Sequence, residues 1–182
     1  MRMADALRKG INRKALYKLR DAGLIEQVDR GLYRLSEMPA MRSPDLALVA
    51  SRSPQAVVCL VSALAFHNLT TQVPHAVDIA LKRGNRKSRI AFPPTNAFWF
   101  SGEAFTQGIK THTLDGIPVQ IYDPEKTIAD CFRYRNKIGM DVMIEALRLW
   151  RQSRPGKFNA LMKYARMRRV DKQLAPYLAV AP

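Results

Sequence analysis

A short stretch near the start of the chain carries side chains able to bind phosphate. Five residues of the segment Asn12 to Ala22 fall on one arc of a predicted helix: Arg13, Lys14, Tyr17, Lys18 and Arg20. The other arc is apolar and consists of Ala15, Leu16, Leu19 and Ala22. Guanidinium and ammonium groups bind phosphates, and the major groove of DNA is wide enough to admit a helix. The spacing therefore predicts a helix that packs on a small core and contacts DNA, with a merely solvated basic face as the alternative.

The elements around this helix have a recognisable order. A short amphipathic helix, Met3 to Lys9, comes before it, and two strands, Leu24 to Val28 and Leu32 to Leu35, come after it. Arg30 lies in the tight turn between the strands, where it is placed for a phosphate or minor-groove contact. Helix, turn, basic helix and hairpin in this order predict a winged helix-turn-helix DNA-binding domain over residues 1–38.

Two further basic groups lie outside this segment. One is the loop with Lys82, Arg83, Arg86 and Lys87. The other is the C-terminal group of Lys163, Arg166, Arg168 and Arg169. Both groups are candidates for a secondary nucleic-acid contact. The alternative for the first group is a merely solvated loop. The alternative for the C-terminal group is the solvent-exposed face of a helix whose Leu161, Met162 and Ala165 face inward. A phosphate-binding GxxxxGK[ST] loop ending in Lys87-Ser88 is excluded, because Leu81 and Arg86 stand where that motif requires its two glycines.

The composition agrees with a polyanionic partner. The chain has 182 residues, a formal net charge of +15 and a pI near 10.3. Binding to a polyanion is the usual use of such a surface, because phosphate contacts release condensed counterions; a cationic surface that only keeps the protein in solution is the alternative. With 47% hydrophobic residues the chain can bury a core, so it is a folded protein and not a basic tail.

A linker at Ser36 to Arg42 predicts a boundary, with a second, mixed α/β domain over residues 43–182. The overall class is α+β with a helical C-terminal end. Strands are predicted at Val77 to Leu81, at Phe98 to Phe100, and on both sides of the Asp115-Gly116 turn, from Ile109 to Leu114 and from Ile117 to Tyr122. Ile90 to Phe92 is expected as a return strand. Helices are predicted at Ser43 to Ala50, within Ala56 to Asn68, and at Asp123 to Tyr134, Asp141 to Gln152, Phe158 to Arg168 and Lys172 to Leu178.

Patterns typical of enzymes are missing from the sequence. No Asp or Glu is followed two residues later by Lys, no Asp-x-Asp pair occurs, and the three histidines show no metal-ligand spacing. The sequence therefore predicts no catalytic residues, no metal and no cofactor. Cys59 and Cys131 are expected to be buried free thiols in a reducing, cytoplasmic setting, and no segment predicts export or membrane insertion.

Several segments carry a resemblance to a known family. They are Asp21–Glu26 leading to Arg30–Leu35, Ser62–Thr70, Ile79–Gly84 and Tyr122–Phe132. In order and spacing, these segments resemble the AbiEi family of abortive-infection antitoxins, which also repress transcription of their own toxin-antitoxin operons. The chain departs from the family in one respect, since only Met3 to Lys9 precedes the first turn of the DNA-binding domain.

The resemblance implies a type IV antitoxin that binds double-stranded operator DNA. Its functional partner would be a nucleotidyltransferase toxin, opposed without a stable complex. The implied DNA-binding residues are Arg13, Lys14, Tyr17, Lys18 and Arg20 of the second helix and Arg30 of the wing. A general nucleic-acid-binding regulator without a toxin partner is the alternative within binding proteins, and a metal-dependent nuclease is the alternative among enzymes.

Overall fold

The N-terminal part of the chain consists of two short helices followed by an antiparallel hairpin. In the computed structural model, which describes residues 3–37 and 43–180, helix α1 spans Met3–Arg8 and helix α2 spans Arg13–Asp21. Strands β1 (Ile25–Asp29) and β2 (Leu32–Leu35) follow and pair with each other. Gly23 ends α2 with a φ of 72°, which an L side chain rarely adopts. The order of elements is the predicted one.

A five-stranded mixed sheet forms the centre of the second part. Its strands are β3 (Val57–Val58), β4 (Val77–Lys82), β5 (Thr95–Phe100), β6 (Ile109–Leu114) and β7 (Ile117–Tyr122), arranged in the order β5-β4-β3-β7-β6. The pairs β4–β5 and β3–β7 are parallel, whereas β3–β4 and β6–β7 are antiparallel. The α+β class is confirmed. Residues 38–42, most of the predicted linker, lie outside the described residues.

The hairpin of β6 and β7 agrees with its predicted bounds. Asp115 and Gly116 both have positive φ, 51° and 75°, as a two-residue hairpin turn requires. Pro118, which has no backbone N–H, predicts that its strand lies at an edge or that the missing donor faces out of the sheet; β7 lies between β3 and β6, so it is not an edge strand. The two-residue strand β3 pairs with β7 at Ile121, so Pro118 lies beyond the part of β7 that β3 covers.

One predicted helix is confirmed within its segment, and one expected strand does not form. Residues 56–68 contain helix α4, which spans Leu60–Phe66, and strand β3 occupies the first part of the segment. The Asp78 carboxylate on β4 accepts a hydrogen bond from the Val61 N–H at 3.2 Å, so a tertiary contact fixes where α4 begins. Ile90 to Phe92 does not form a strand. Because β4 and β5 are parallel, the chain must cross over between them, and residues 83–94 make this connection without regular structure.

The remaining helices surround the sheet. They are α3 (Pro44–Arg52), α5 (Glu103–Thr106), α6 (Pro124–Arg133), α7 (Arg135–Ile138), α8 (Met140–Ser153), α9 (Phe158–Met167) and α10 (Asp171–Val180). The helical C-terminal end is therefore confirmed within the described residues. Cys59 and Cys131 are buried free thiols, as predicted, and burial raises the pKa of both well above the ordinary value.

Helix α6 lies at the centre of the second part, and every residue from Pro124 to Phe132 is buried. Two of its charged side chains, Lys126 and Asp130, are fully buried and pair with each other. Arg168, at the end of α9, adds a second cation, its Nε lying 2.7 Å from Asp130 Oδ1. Burial raises the pKa of Asp130 and lowers that of Lys126, and the ion pairing opposes both shifts. Lys126 and Asp130 are thus held by their mutual attraction without exposed surface, and the mostly enclosed Arg168 adds to it.

Glu125 gives α6 a second polar link. Its Oε1 accepts a hydrogen bond from the Trp150 Nε1–H at 3.1 Å and lies 2.9 Å from Arg154 Nε. At the start of α6, the Asp123 side chain caps the Lys126 N–H at 2.8 Å and accepts a hydrogen bond from the Tyr164 hydroxyl at 2.7 Å. Polar contacts from α6 therefore tie α8 and α9 to the sheet.

The N-terminal part has its own small core and also packs on the rest of the chain. Ala6, Leu16, Ile25 and Tyr33 form one buried cluster. Leu32 of β2 belongs to a different cluster, which includes Ala47 of α3 and Ile117 of β7. One face of the hairpin therefore completes the small core while the other rests on the second part.

The buried ion pairs of Asp130 lead to a testable prediction about the free energy of unfolding. Asp130→Asn leaves Lys126 and Arg168 buried without their counter-charge, so we expect it to lower the free energy of unfolding by about 3–5 kcal/mol. Asp21→Asn, which removes the exposed partner of Arg20, should change it far less, because solvent screens an exposed pair. Urea denaturation followed by circular dichroism measures both. Equal effects of the two substitutions would contradict the structural role of Asp130.

Candidate nucleic-acid interface

Helix α2 is held by a cap and by one buried side chain. The Asn12 side chain accepts a hydrogen bond from the Ala15 N–H at 2.7 Å, as expected of an N-cap. Leu16 is 1% exposed and is the buried residue of the helix. Leu19 and Ala22 were predicted on the core arc, but both are exposed. The small core with Leu16 covers only the middle of α2, which leaves most of its surface in solvent.

The five predicted contact residues of α2 all lie on this solvent-exposed surface: Arg13, Lys14, Tyr17, Lys18 and Arg20. The first turn holds Arg13 and Lys14 and no acidic residue, so the partial positive charge of the helix N-terminus adds to theirs. The Arg20 guanidinium lies 5.1 Å from the Tyr17 ring centroid and pairs with Asp21 at 2.8 Å. Arg20 is therefore partly neutralised, and Arg13, Lys14 and Lys18 carry most of the positive charge.

The hairpin places Arg30 at its tip, on the surface. Gly31, with a φ of 74°, makes the tight turn, and its carbonyl accepts a hydrogen bond from the Met3 N–H at 2.8 Å. The turn is thus fastened to α1. Across the two strands, Arg34 Nε lies 2.8 Å from Glu26 Oε1, which stabilises the pairing.

An open cleft of about 350 Å³ connects these elements. Arg13 from the start of α2, Arg30 from the hairpin and Arg52 from the end of α3 line it together with α1 residues. Arg52 was missed in the sequence, because the predicted helix ended at Ala50 and nothing in the local pattern brings Arg52 to the hairpin. The cleft makes the cationic surface continuous from the N-terminal elements to α3.

The two secondary basic groups lie on other parts of the molecule. Lys82, Arg83, Arg86 and Lys87 are exposed between β4 and β5, and Lys87 Nζ donates to the Thr95 carbonyl at 2.6 Å. On α9 and the turn after it, Lys163, Arg166 and Arg169 are exposed. Leu161 and Ala165 are buried, which confirms the predicted inward face of that helix.

Arg168 does not belong to this surface. Its side chain is 13% exposed, its Nε pairs with Asp130, and its guanidinium lies 4.7 Å from the Phe100 ring centroid. The sequence pattern placed it with its cationic neighbours. The pattern did not show that the chain turns after α9 and that Arg168 then reaches inward to Asp130. Nothing in the sequence indicated a partner for Asp130.

Metal binding and membrane insertion are two further functions on which the described residues bear. Among residues 3–37 and 43–180, no group of three or more His, Cys, Asp and Glu side chains is placed to hold a metal ion. Over the same part of the chain, no helix combines the length and apolar character needed to cross a membrane.

Comparison with known proteins bears on the N-terminal elements and on the fold. Residues 2–36 match a family described as "Transcriptional regulator, AbiEi antitoxin". The resemblance is thus confirmed over the two helices and the hairpin, which are similar to a family of antitoxins and regulators. The motifs after residue 36 lie outside the match.

The fold as a whole is similar to the crystal structure of the RV2827C protein from Mycobacterium tuberculosis. The TM-score is 0.53 at 14% sequence identity, over 98% of this chain and 75% of that one. At this identity the similarity concerns the fold alone. A search of curated proteins finds no match.

The burial of Leu16 and the exposure of Leu19 give a matched test of how α2 is held. Leu16→Ala removes the central side chain of the small core, so we expect a cost of about 2–5 kcal/mol in the stability of residues 3–35. Leu19→Ala, a chemically identical change on the 37% exposed side chain, should cost less than about 1 kcal/mol. Thermal unfolding by circular dichroism and amide hydrogen exchange of α2 measure this. A Leu19→Ala cost equal to that of Leu16→Ala would show that α2 packs differently.

Proposed function

We propose, from the match of residues 2–36 to the AbiEi antitoxin regulators, that the chain binds operator DNA through a winged helix-turn-helix and represses its own operon. The observation that carries the proposal is helix α2, whose exposed cations stand on a capped helix beside a hairpin with Arg30 at its tip. Two helices followed by a hairpin, in this order, are the elements with which such domains bind DNA.

In the proposed complex, α2 is the recognition helix in the major groove. Its N-terminal residues Arg13 and Lys14, with Tyr17, face the base edges, where Arg and Lys bind guanine O6 and N7. Lys18, Arg20 and Arg30 contact phosphates and fix the position of the helix on the duplex. The cleft with Arg52 extends this phosphate contact towards α3. Repression follows from occupancy of the promoter.

The basic residues of α9 support a longer contact. Lys163, Arg166 and Arg169 are exposed and have a single acidic residue, Asp171, near them in sequence. In the proposal they form a second basic surface that contacts phosphates, since additional phosphate contacts raise affinity for any sequence. Arg168 is left out of the proposed surface because it pairs with Asp130 inside the fold.

The proposed role of residues 43–182 is that of the antitoxin. Its partner is a nucleotidyltransferase toxin whose effect it counters without a stable complex, in a type IV toxin-antitoxin system. The proposal includes no enzymatic activity and places the protein in the cytoplasm. A general nucleic-acid-binding regulator without a toxin is the second candidate, and the exposed cations of α9, distant in sequence from residues 2–36, are the observation that favours it.

Binding to the DNA upstream of the chain's own gene tests the first part of the proposal. Arg13→Ala with Lys18→Ala removes one base contact and one phosphate contact, so we expect the affinity to fall at least about tenfold. The slope of log affinity against log salt concentration should become shallower by about one, as expected for the loss of one phosphate contact. Fluorescence anisotropy over a series of salt concentrations measures both. Lys110→Ala with Lys137→Ala removes the same charge from exposed positions elsewhere and should leave most of the affinity. If both pairs weaken binding equally, the effect is one of net charge and the recognition role of α2 is wrong.

Co-expression tests the antitoxin part. A nucleotidyltransferase encoded beside this chain's gene should arrest growth when expressed alone, and this chain should restore growth without co-purifying with it. Because the antitoxin role is assigned to residues 43–182, the Arg13→Ala, Lys18→Ala variant should restore growth as well as the unaltered chain does. Failure of the unaltered chain to restore growth would leave a regulator without a toxin partner.

A further inference from the structure

Trp99 presents an aromatic ring on the surface, far from helix α2 in sequence. It lies in β5, an edge strand of the sheet, and is 49% exposed. Its neighbour Phe100 points the other way and is 2% exposed in the main core. The Trp99 Nε1–H donates to the Asn85 carbonyl at 2.9 Å, so the ring is held in one orientation with part of its surface in solvent.

The loop that holds this ring is strongly basic. Between Ile79 and Gly102 the sequence contains no acidic residue and five cations, all exposed: Lys82, Arg83, Arg86, Lys87 and Arg89. The loop is anchored along β5 at three points. The Arg83 N–H donates to the Phe100 carbonyl at 2.7 Å, the Asn85 carbonyl accepts from Trp99, and Lys87 Nζ donates to the Thr95 carbonyl. These contacts hold the backbone of the basic loop against β5, beside Trp99.

The contacts within the fold do not neutralise this charge. Within the part of the chain that the structure describes, Lys82, Arg83, Arg86 and Arg89 form no ion pair with an acidic side chain. Arg168, by contrast, is buried against Asp130, so this fold pairs its cations where it buries them. The loop cations remain available to an external polyanion.

We propose that Trp99 and the loop cations form a binding site for single-stranded nucleic acid, separate from the duplex-binding surface of α2. A base stacks on the exposed part of the Trp99 ring, and Arg83, Arg86 and their neighbours bind the adjoining phosphates. An aromatic ring bordered by cations is the arrangement by which proteins bind unpaired strands without reading their sequence. A base within a duplex is already stacked on both faces, so the ring favours an unpaired strand over a paired one.

Fluorescence provides a direct readout, since the chain has two tryptophans and they differ in exposure. Trp150 is 3% exposed with its Nε1–H bonded to Glu125, whereas Trp99 faces solvent. We expect an oligothymidylate or oligouridylate of about 15 nucleotides to quench the Trp99 emission on binding. A duplex of the same length should quench it much less. Absence of quenching by a bound single strand would overturn the proposal.

Variants separate stacking from charge. In anisotropy measurements with labelled oligothymidylate, Trp99→Leu should weaken binding about tenfold or more, and Trp99→Phe should restore part of the loss. Arg83→Ala with Arg86→Ala should weaken it and flatten its salt dependence. Unchanged binding by Trp99→Leu, with its circular dichroism spectrum preserved, would show that the site does not stack bases.

The α2 variant separates this proposal from the operator-binding one. Arg13→Ala with Lys18→Ala should leave oligothymidylate binding and Trp99 quenching intact, and Trp99→Leu should leave promoter binding intact. Loss of single-strand binding in the α2 variant would mean that one surface serves both ligands and would overturn the separate site. Failure of promoter binding alone would not affect the Trp99 site.

Discussion

The burial of a charged helix is the constraint on which the second part of the molecule depends. Lys126 and Asp130 lie one turn apart on α6 with no exposed surface, and Arg168 reaches the same carboxylate from the end of α9. Removing such charges from water is costly, and only their mutual pairing offsets the cost. The aromatic rings of Tyr122 and Phe100 face the Lys126 ammonium at 4.1 and 5.1 Å and enclose the group. Helices α6 and α9 and the sheet are therefore fixed relative to one another.

This rigid centre explains how the positive charge is distributed. Cations that pair with a buried carboxylate stabilise the fold; these are Lys126, Arg168 and Arg154. Groups of exposed cations lie on helix α2 with the hairpin, on the loop beside Trp99 and on α9, and single exposed cations such as Lys110 and Lys137 lie elsewhere. The hairpin rests on α3 and β7 through Leu32. The proposed DNA-reading helix is thus supported by the same body that carries the other two surfaces.

Local patterns were sufficient to predict elements whose cause is local. The Asp115-Gly116 turn, the Asn12 cap and the helix starts at Pro44 and Pro124 all appear where the sequence places them. Features with a distant cause were not predictable. Asp78 sets the start of α4 from another strand, Asp130 draws Arg168 inward, and Asn85 holds Trp99 at the surface. For the candidate interface, the sequence identified the α2 cations, but Arg52 joins them only through the packing of α3 against the hairpin.

Chemical protection of guanine N7 in the chain's own promoter tests the central claim most directly, because N7 lies in the major groove and reacts with dimethyl sulfate unless a protein covers it. The account predicts protection of guanines confined to a short stretch of major groove that α2 fills, with flanking phosphates contacted on either side. Unprotected guanines throughout a bound promoter would contradict it, because the helix would then lie outside the groove.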